Sequence, residues 1–245
     1  MSYPKYSPTV VIVLCACCMM ALFSSCSEKT LFKRVSANHS NIKFVNTVVE
    51  NDSINPIDLE FLYNGGGVAV GDFDNNGLPD LYFTASTTSN KLYLNKGDLS
   101  FEDVTEKAEV TGEKRWANAA SVVDINNDGW KDIYVTNTIR TNPEERKNLL
   151  YFNQGLNTEK IPVFKEMSAE YNLADTGYSV HAAFFDYDND GDLDMYLLTT
   201  KLAGRTAVTF QNSNVRDTAK TDFDKLFRND WSDSLKHPVF TDVSN

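Results

Sequence analysis

The chain of 245 residues has little cysteine, little histidine and a shortage of basic residues. Its four cysteines are Cys15, Cys17, Cys18 and Cys26, so nothing after residue 26 can form a disulfide or supply a thiol nucleophile. His39, His181 and His237 are the only histidines, and they share no ligand spacing, which argues against zinc. Lys and Arg number 23 against 34 Asp and Glu, a net charge of −11. That balance suits no nucleic-acid partner, because such binding depends on neutralising phosphates with basic side chains. The apolar run Val10 to Phe23 has 14 residues, short of the roughly 20 that span a bilayer as a helix. No phosphate loop, dinucleotide fingerprint or nucleophile–base constellation is visible.

What the chain does have is one nine-residue pattern, D-x-[DN]-x-[DN]-G-x-x-D, written three times. The copies are Asp72-Phe-Asp74-Asn-Asn76-Gly77-Leu-Pro-Asp80, Asp124-Ile-Asn126-Asn-Asp128-Gly129-Trp-Lys-Asp132 and Asp186-Tyr-Asp188-Asn-Asp190-Gly191-Asp-Leu-Asp194. Oxygens at positions 1, 3, 5 and 9 suit a hard cation, and the position-7 carbonyls of Leu78, Trp130 and Asp192 can add a ligand. Glycine at position 6 allows the sharp turn that wraps such a loop. An EF-hand would need flanking helices and an acid at position 12, where Phe83, Val135 and Leu197 stand instead. Three copies point to about three Ca²⁺ ions in a mainly structural role; Mg²⁺ prefers water-rich octahedral sites. The third loop offers four ligand carboxylates against three in each of the others, so it should bind tightest. The Asp192 side chain is expected to point outward or to support the ion from behind.

The loops start at 72, 124 and 186, steps of 52 and 62 residues, which signals a repeat architecture. Each is entered and left through β-branched and aromatic residues: Val68–Val70 and Leu81–Phe83, Ser121–Val123 and Ile133–Val135, Ala183–Phe185 and Met195–Leu197. These read as hairpins. A third strand follows each at Asn90–Asn95, Asn148–Asn153 and Asp224–Asn229, and a fourth at Phe101–Thr105, Phe164–Ser168 and Phe240–Ser244. The fold class is therefore all-β: β-propeller blades of four antiparallel strands, about three of them, with the cation loop in the first hairpin. A closed ring takes roughly four to eight blades, so this ring is incomplete and further blades are expected C-terminally, unless the product is truncated. A stray fourth-strand pattern, Phe32-Lys-Arg-Val35-Ser36, precedes the first loop and is read as an unpaired leading strand. The connection from second to third strand lengthens from 10 to 16 to 30 residues, and its last copy, Thr199 to Thr221, is a natural place for recognition or a tolerated insertion.

Leu22-Phe-Ser-Ser-Cys26 resembles the lipobox of bacterial lipoproteins, with Cys26 as the lipidated residue. The expected division is a signal peptide over 1–25, a lipidated N-terminus with leading strand and linker over 26–62, and repeats over 63–245 (63–110, 115–172 and 177–245). Asn64-Gly-Gly-Gly-Val-Ala-Val-Gly-Asp-Phe-Asp with its loop and Leu-Tyr-Phe-Thr resembles the FG-GAP/VCBS repeats of integrin α-subunit propellers and of secreted bacterial proteins. His181-Ala-Ala-Phe-Phe-Asp-Tyr-Asp-Asn-Asp-Gly is similar to repeats of the cartilage-acidic-protein-like branch. The resemblance implies seven-bladed propellers used for adhesion, ligand binding or scaffolding. With the lipobox and Ser27, it also implies a lipoprotein at the outer membrane or surface of a Gram-negative cell, held by its lipid alone.

Two other classes compete with a binding module for a protein or glycan. One is a Ca²⁺-dependent enzyme acting on polysaccharides, which would need a base beside its substrate. The other is a non-functional fragment. Candidate ligand-facing residues at the blade mouth are Asn64, Trp116 and Tyr178, each eight residues before its loop, with His181 five before the third. The two aromatic rings could stack on a sugar or pack between blades, and the lone histidine could be structural.

Overall fold

The structure, a computed structural model, describes residues 31–57, 59, 62–200 and 223–244. Two compact units divide between Val35 and Ser36. Of the first, only residues 31–35 are described; the second holds every described strand. Cys26, the leader and residues 201–222 of the long connection lie outside the described residues. Among the described residues no helix is long and apolar enough to cross a membrane.

Among the described residues, twelve strands build three four-stranded antiparallel sheets. The first is β1 (Val68–Gly71), β2 (Asp80–Phe83), β3 (Lys91–Asn95) and β4 (Phe101–Asp103). The second is β5 (Ala117–Val123), β6 (Asp132–Asn137), β7 (Leu149–Leu156) and β8 (Pro162–Glu166). The third is β9 (Ser179–Phe185), β10 (Asp194–Thr199), β11 (Lys225–Ser232) and β12 (His237–Asp242). Neighbours in sequence are neighbours in each sheet, as in propeller blades, and the three sheets close no ring. Registers Gly71↔Asp80, Val123↔Asp132 and Phe185↔Asp194 place each position-9 aspartate at the first residue of its second strand. The last strand starts at His237, earlier than its sequence pattern suggests; it is an outermost strand, where Pro238 costs no ladder bond.

The apolar core lies between sheets. Phe73, Tyr82, Leu92 and Leu94 of the first blade pack with Ile133, Val135, Leu149 and Tyr151 of the second. Ile125, Tyr134 and Leu150 of the second pack in the same way with Met195, Leu197 and Phe227 of the third. Each of the first two blades thus presents its loop's second residue and its second-strand tyrosine to the blade that follows. Tyr82 and Tyr134 are buried there, with hydroxyls donating to Val110 O and Leu173 O at 2.9 Å. Their counterpart Tyr196 is 39% exposed, beside Phe185 at 44% and Leu198 at 41%.

The leading strand at Phe32 does not form. Residues 31–36 carry no strand, Phe32 is 85% exposed, and Ser36 instead caps the short helix Ala37–Ser40 by accepting from His39 N. A fourth-strand pattern specifies a strand only when a third strand lies alongside to satisfy its backbone. The outer side of the first blade is covered instead by residues 41–47. Phe44 stacks on Phe83 at 5.1 Å between centroids, Asn41 Nδ2 donates to Phe101 O, and Ser86 N donates to Asn46 Oδ1.

Candidate cation loops and blade mouth

All three loops are wound by the same hydrogen bonds. The position-1 carboxylate accepts from the backbone N–H of positions 5 and 6: Asp72 from Asn76 and Gly77, Asp124 from Asp128 and Gly129, Asp186 from Asp190 and Gly191, at 2.8–3.2 Å. The position-5 oxygen accepts from the N–H of position 7 in each. Gly77, Gly129 and Gly191 have φ of 84°, 89° and 99°. Position 4 is left-handed as well, with φ of 54°, 56° and 63° at Asn75, Asn127 and Asn189. Asparagine stands there in every copy because it tolerates that region best after glycine. The sequence pattern wrote this position as free and so passed over a visible signal.

The position-9 aspartate is the anchor. Asp80, Asp132 and Asp194 are buried, and each spends both oxygens on backbone donors. One oxygen takes the N–H of loop position 2 (Phe73, Ile125, Tyr187) and the other the N–H of a third-strand asparagine (Asn95, Asn153, Asn229), at 2.7–3.0 Å. That asparagine returns its side-chain amide to the position-8 carbonyl of Pro79, Lys131 or Leu193. These three asparagines close each loop against its blade. Their identical place in the third-strand copies was a signal for that role, and sequence reasoning gave them none.

Electrostatics agree with a site for positive charge. Burial, above all, lifts the Asp80 carboxyl to about 6 and Asp132 to about 7, against lowering by their two backbone donors. Asp74 is raised, first by burial and then in part by Asp72. Asp72, Asp74 and Asp80 each offer an oxygen within 4.8 Å of the others, and so do Asp186, Asp188 and Asp194. Oxygens bound at 2.3–2.6 Å to one Ca²⁺ lie at most about 5 Å apart, so both sets fit a single ion. In the middle loop Asn126 replaces a carboxylate, and Lys131 Nζ lies 3.8 Å from Asp124. Of the two poses expected for Asp192, outward or supporting the ion from behind, the half-buried side chain is compatible with the second. One of its oxygens is buried with no hydrogen-bond partner, and its carboxyl is raised to about 6 by burial and then by Asp190 and Asp194. That unpaired oxygen among carboxylates fits a cation-binding loop.

A family model described as an FG-GAP-like repeat matches residues 72–135, from the first loop through the second to β6. Cartilage acidic protein 1 of Xenopus tropicalis is 28% identical over 147 residues, 59% of this chain. The match spans 21% of that relative's length. Residues 72–135 thus match an FG-GAP-like repeat. The third blade repeats the same loop bonds and strand order beyond the matched residues.

At the other end of the innermost strands, the three blades meet round a cavity of about 180 Å³ lined by Asn64, Trp116, Asn118, Thr138, Ile139 and Val180, among others. Asn118 Nδ2 bridges the second and third blades by donating to Val180 O at 2.8 Å. Ile139 has φ of 64°, a region that β-branched residues rarely occupy and that marks strain. Of the four mouth candidates, Asn64 and Trp116 share this cavity, Trp116 as a 3% exposed wall packed between blades. Tyr178 does not line it; the Arg146 guanidinium sits 4.2 Å over its ring and also donates to Thr176 O and Arg140 O. His181 is exposed on β9 opposite Leu198, outside the cavity lining.

Proposed function

We propose that this chain is a calcium-binding β-propeller segment that serves as a binding or adhesion module at a cell surface. The observation that carries the calcium reading is the threefold recurrence of one loop: the same oxygens, left-handed residues and anchoring aspartate. About three Ca²⁺ ions would be held by Asp72, Asp74, Asn76 and Asp80, by Asp124, Asn126, Asp128 and Asp132, and by Asp186, Asp188, Asp190 and Asp194. Each ion would neutralise carboxylates that otherwise repel one another across a hairpin, which is a structural task. Cys26 would carry the lipid that tethers the module to an outer membrane; fractionation of Cys26→Ser checks this, and a protein that stays with the membrane refutes it.

The mouth cavity is the site proposed for the partner. The lining named above is uncharged and combines amides, a hydroxyl and an indole, which favours a neutral polar group such as a sugar of a glycan over an ionic ligand. A glycan array with Ca²⁺ is expected to show binding that Asn64→Ala and Asn118→Ala weaken about tenfold, the scale of a lost hydrogen bond in a buried site. Binding that ignores both substitutions would move the site elsewhere. The uncovered face at Phe185, Tyr196 and Leu198 matches the faces that receive the next blade in the first two junctions. It supports a continuation of the chain with further blades. His181 stands clear of the cavity, so the enzyme reading gains no support from it.

A further inference from the structure

We infer that Asn153 couples the first two cation loops, so that filling one strengthens the other, while the third loop binds on its own. The inference rests on the cation reading given above. A continuous buried path joins the two anchors. Asp80 Oδ2 accepts from Phe73 N at 2.8 Å, Phe73 O accepts from Asn153 Nδ2 at 3.0 Å, and Asn153 N donates to Asp132 Oδ1 at 2.8 Å. All four residues are buried. Asn153 therefore holds its own blade's aspartate through its backbone and the preceding blade's loop through its side chain. Its Oδ1 is fixed in turn by Gly155 N at 3.0 Å. A second, exposed link lies beside this path, where Asn75 Nδ2 donates to Gly129 O at 3.3 Å.

The next junction is built differently. Asn229 holds Asp194 by its N–H and Leu193 O by its amide, at 2.8 and 3.1 Å. Its Oδ1 is buried without a partner. Among the described residues no hydrogen bond runs from Asn229 to Ile125, or from Asn127 to the third loop. The second and third anchors thus lack the bond that joins the first and second.

Coupling follows from what an ion does to an anchor. Without a cation the carboxylates of a loop repel, and its aspartate is free to trade hydrogen bonds. An ion in the second loop fixes Asp132, which fixes the Asn153 backbone. The Asn153 amide then holds Phe73 and, through it, Asp80 in the geometry the first ion needs. Part of the ordering cost of the first site is thereby met by the second ion, and reciprocity makes the effect mutual.

The three position-6 glycine amides give one reporter per loop, since each donates to its own position-1 aspartate. In a calcium titration of the full chain followed by amide NMR, Asp124→Ala should empty the second loop and raise the Gly77 midpoint about fivefold or more, the usual floor of such couplings. In an Asn153→Ser background the same substitution should move the Gly77 midpoint less than about twofold. If Asn153→Ser does not fold, Asn153→Thr, which suits a strand, keeps the backbone bond to Asp132 and lacks the amide that donates to Phe73 O, takes its place, and the shift should shrink in that background. A Gly77 midpoint indifferent to Asp124→Ala, or a shift undiminished in whichever background folds, overturns the coupling and leaves the cation reading intact. Glycine amides that ignore calcium altogether overturn both.

Discussion

Removing divalent ions with EDTA will lower the melting temperature of the chain by roughly 15–30 °C from its calcium-saturated value. At free calcium a hundredfold above its dissociation constant, one site adds about 2.7 kcal/mol to the folded state. Three such sites add about 8 kcal/mol, and a domain of this size moves ~2–4 °C per kcal/mol. The described residues have no disulfide to hold the hairpins once the ions leave. Each loop then retains three or four carboxylates that burial has already pushed toward the neutral form at Asp80 and Asp132. Among single substitutions in calcium, Asp186→Ala should forfeit the largest share, since the third loop holds four ligand carboxylates and the second carries Lys131 beside Asp124. A thermal transition that EDTA leaves in place would end the structural reading of the ions.

The parts of this architecture written in local pattern were legible in the sequence. A nine-residue loop flanked by β-branched and aromatic residues is enough to fix a hairpin, because turn and strand preferences agree there. Three copies in phase then fix the blade. Phe32 shows where local pattern stops: its five residues copy a fourth strand, yet strand formation depends on a partner that the sequence places nowhere near it. The covering of the first blade by Phe44 and Asn46 was illegible for the related reason that these contacts cross some 40 residues and follow no repeat. Within the site, the ligand positions were legible and their supports were not. Asn95, Asn153 and Asn229 lie 15, 21 and 35 residues beyond the aspartates they hold, so only the folded blade brings them together. At the mouth, equal spacing before each loop suggested one ligand surface. The register bulges at Ala117/Ala119 and at Leu198/Thr199 break that equivalence, and Trp116 turns to the cavity while Tyr178 turns to Arg146.

Asp132→Ala will destabilise the chain even in EDTA, by about 3–5 kcal/mol or roughly 6–20 °C, because the change strands two buried N–H donors, Ile125 and Asn153. Asp128→Ala, an exposed candidate ligand of the same loop, should cost less than about 1 kcal/mol in EDTA and show its full effect only in calcium. The contrast separates a residue that builds the loop from one that serves the ion. The same anchor sets a pH dependence whose sign reverses with calcium. In the ion-free chain burial holds Asp132 protonated up to about 7 and Asp80 up to about 6, against about 4 for an aspartate in water. The folded chain therefore keeps protons that the unfolded chain has released, and this contribution to stability is full below about pH 4 and is lost as the pH rises to about 7. Calcium takes the ionised carboxylate, so in its presence the same rise in pH strengthens binding and raises the melting temperature. Melting curves from pH 5 to 7.5, taken as wild type minus Asp132→Asn, isolate the anchor from every other titrating group. The difference should fall with pH in EDTA and rise with pH in calcium. Equal slopes in the two buffers would mean that Asp132 does not meet the ion at all and acts only as the clasp between loop and third strand.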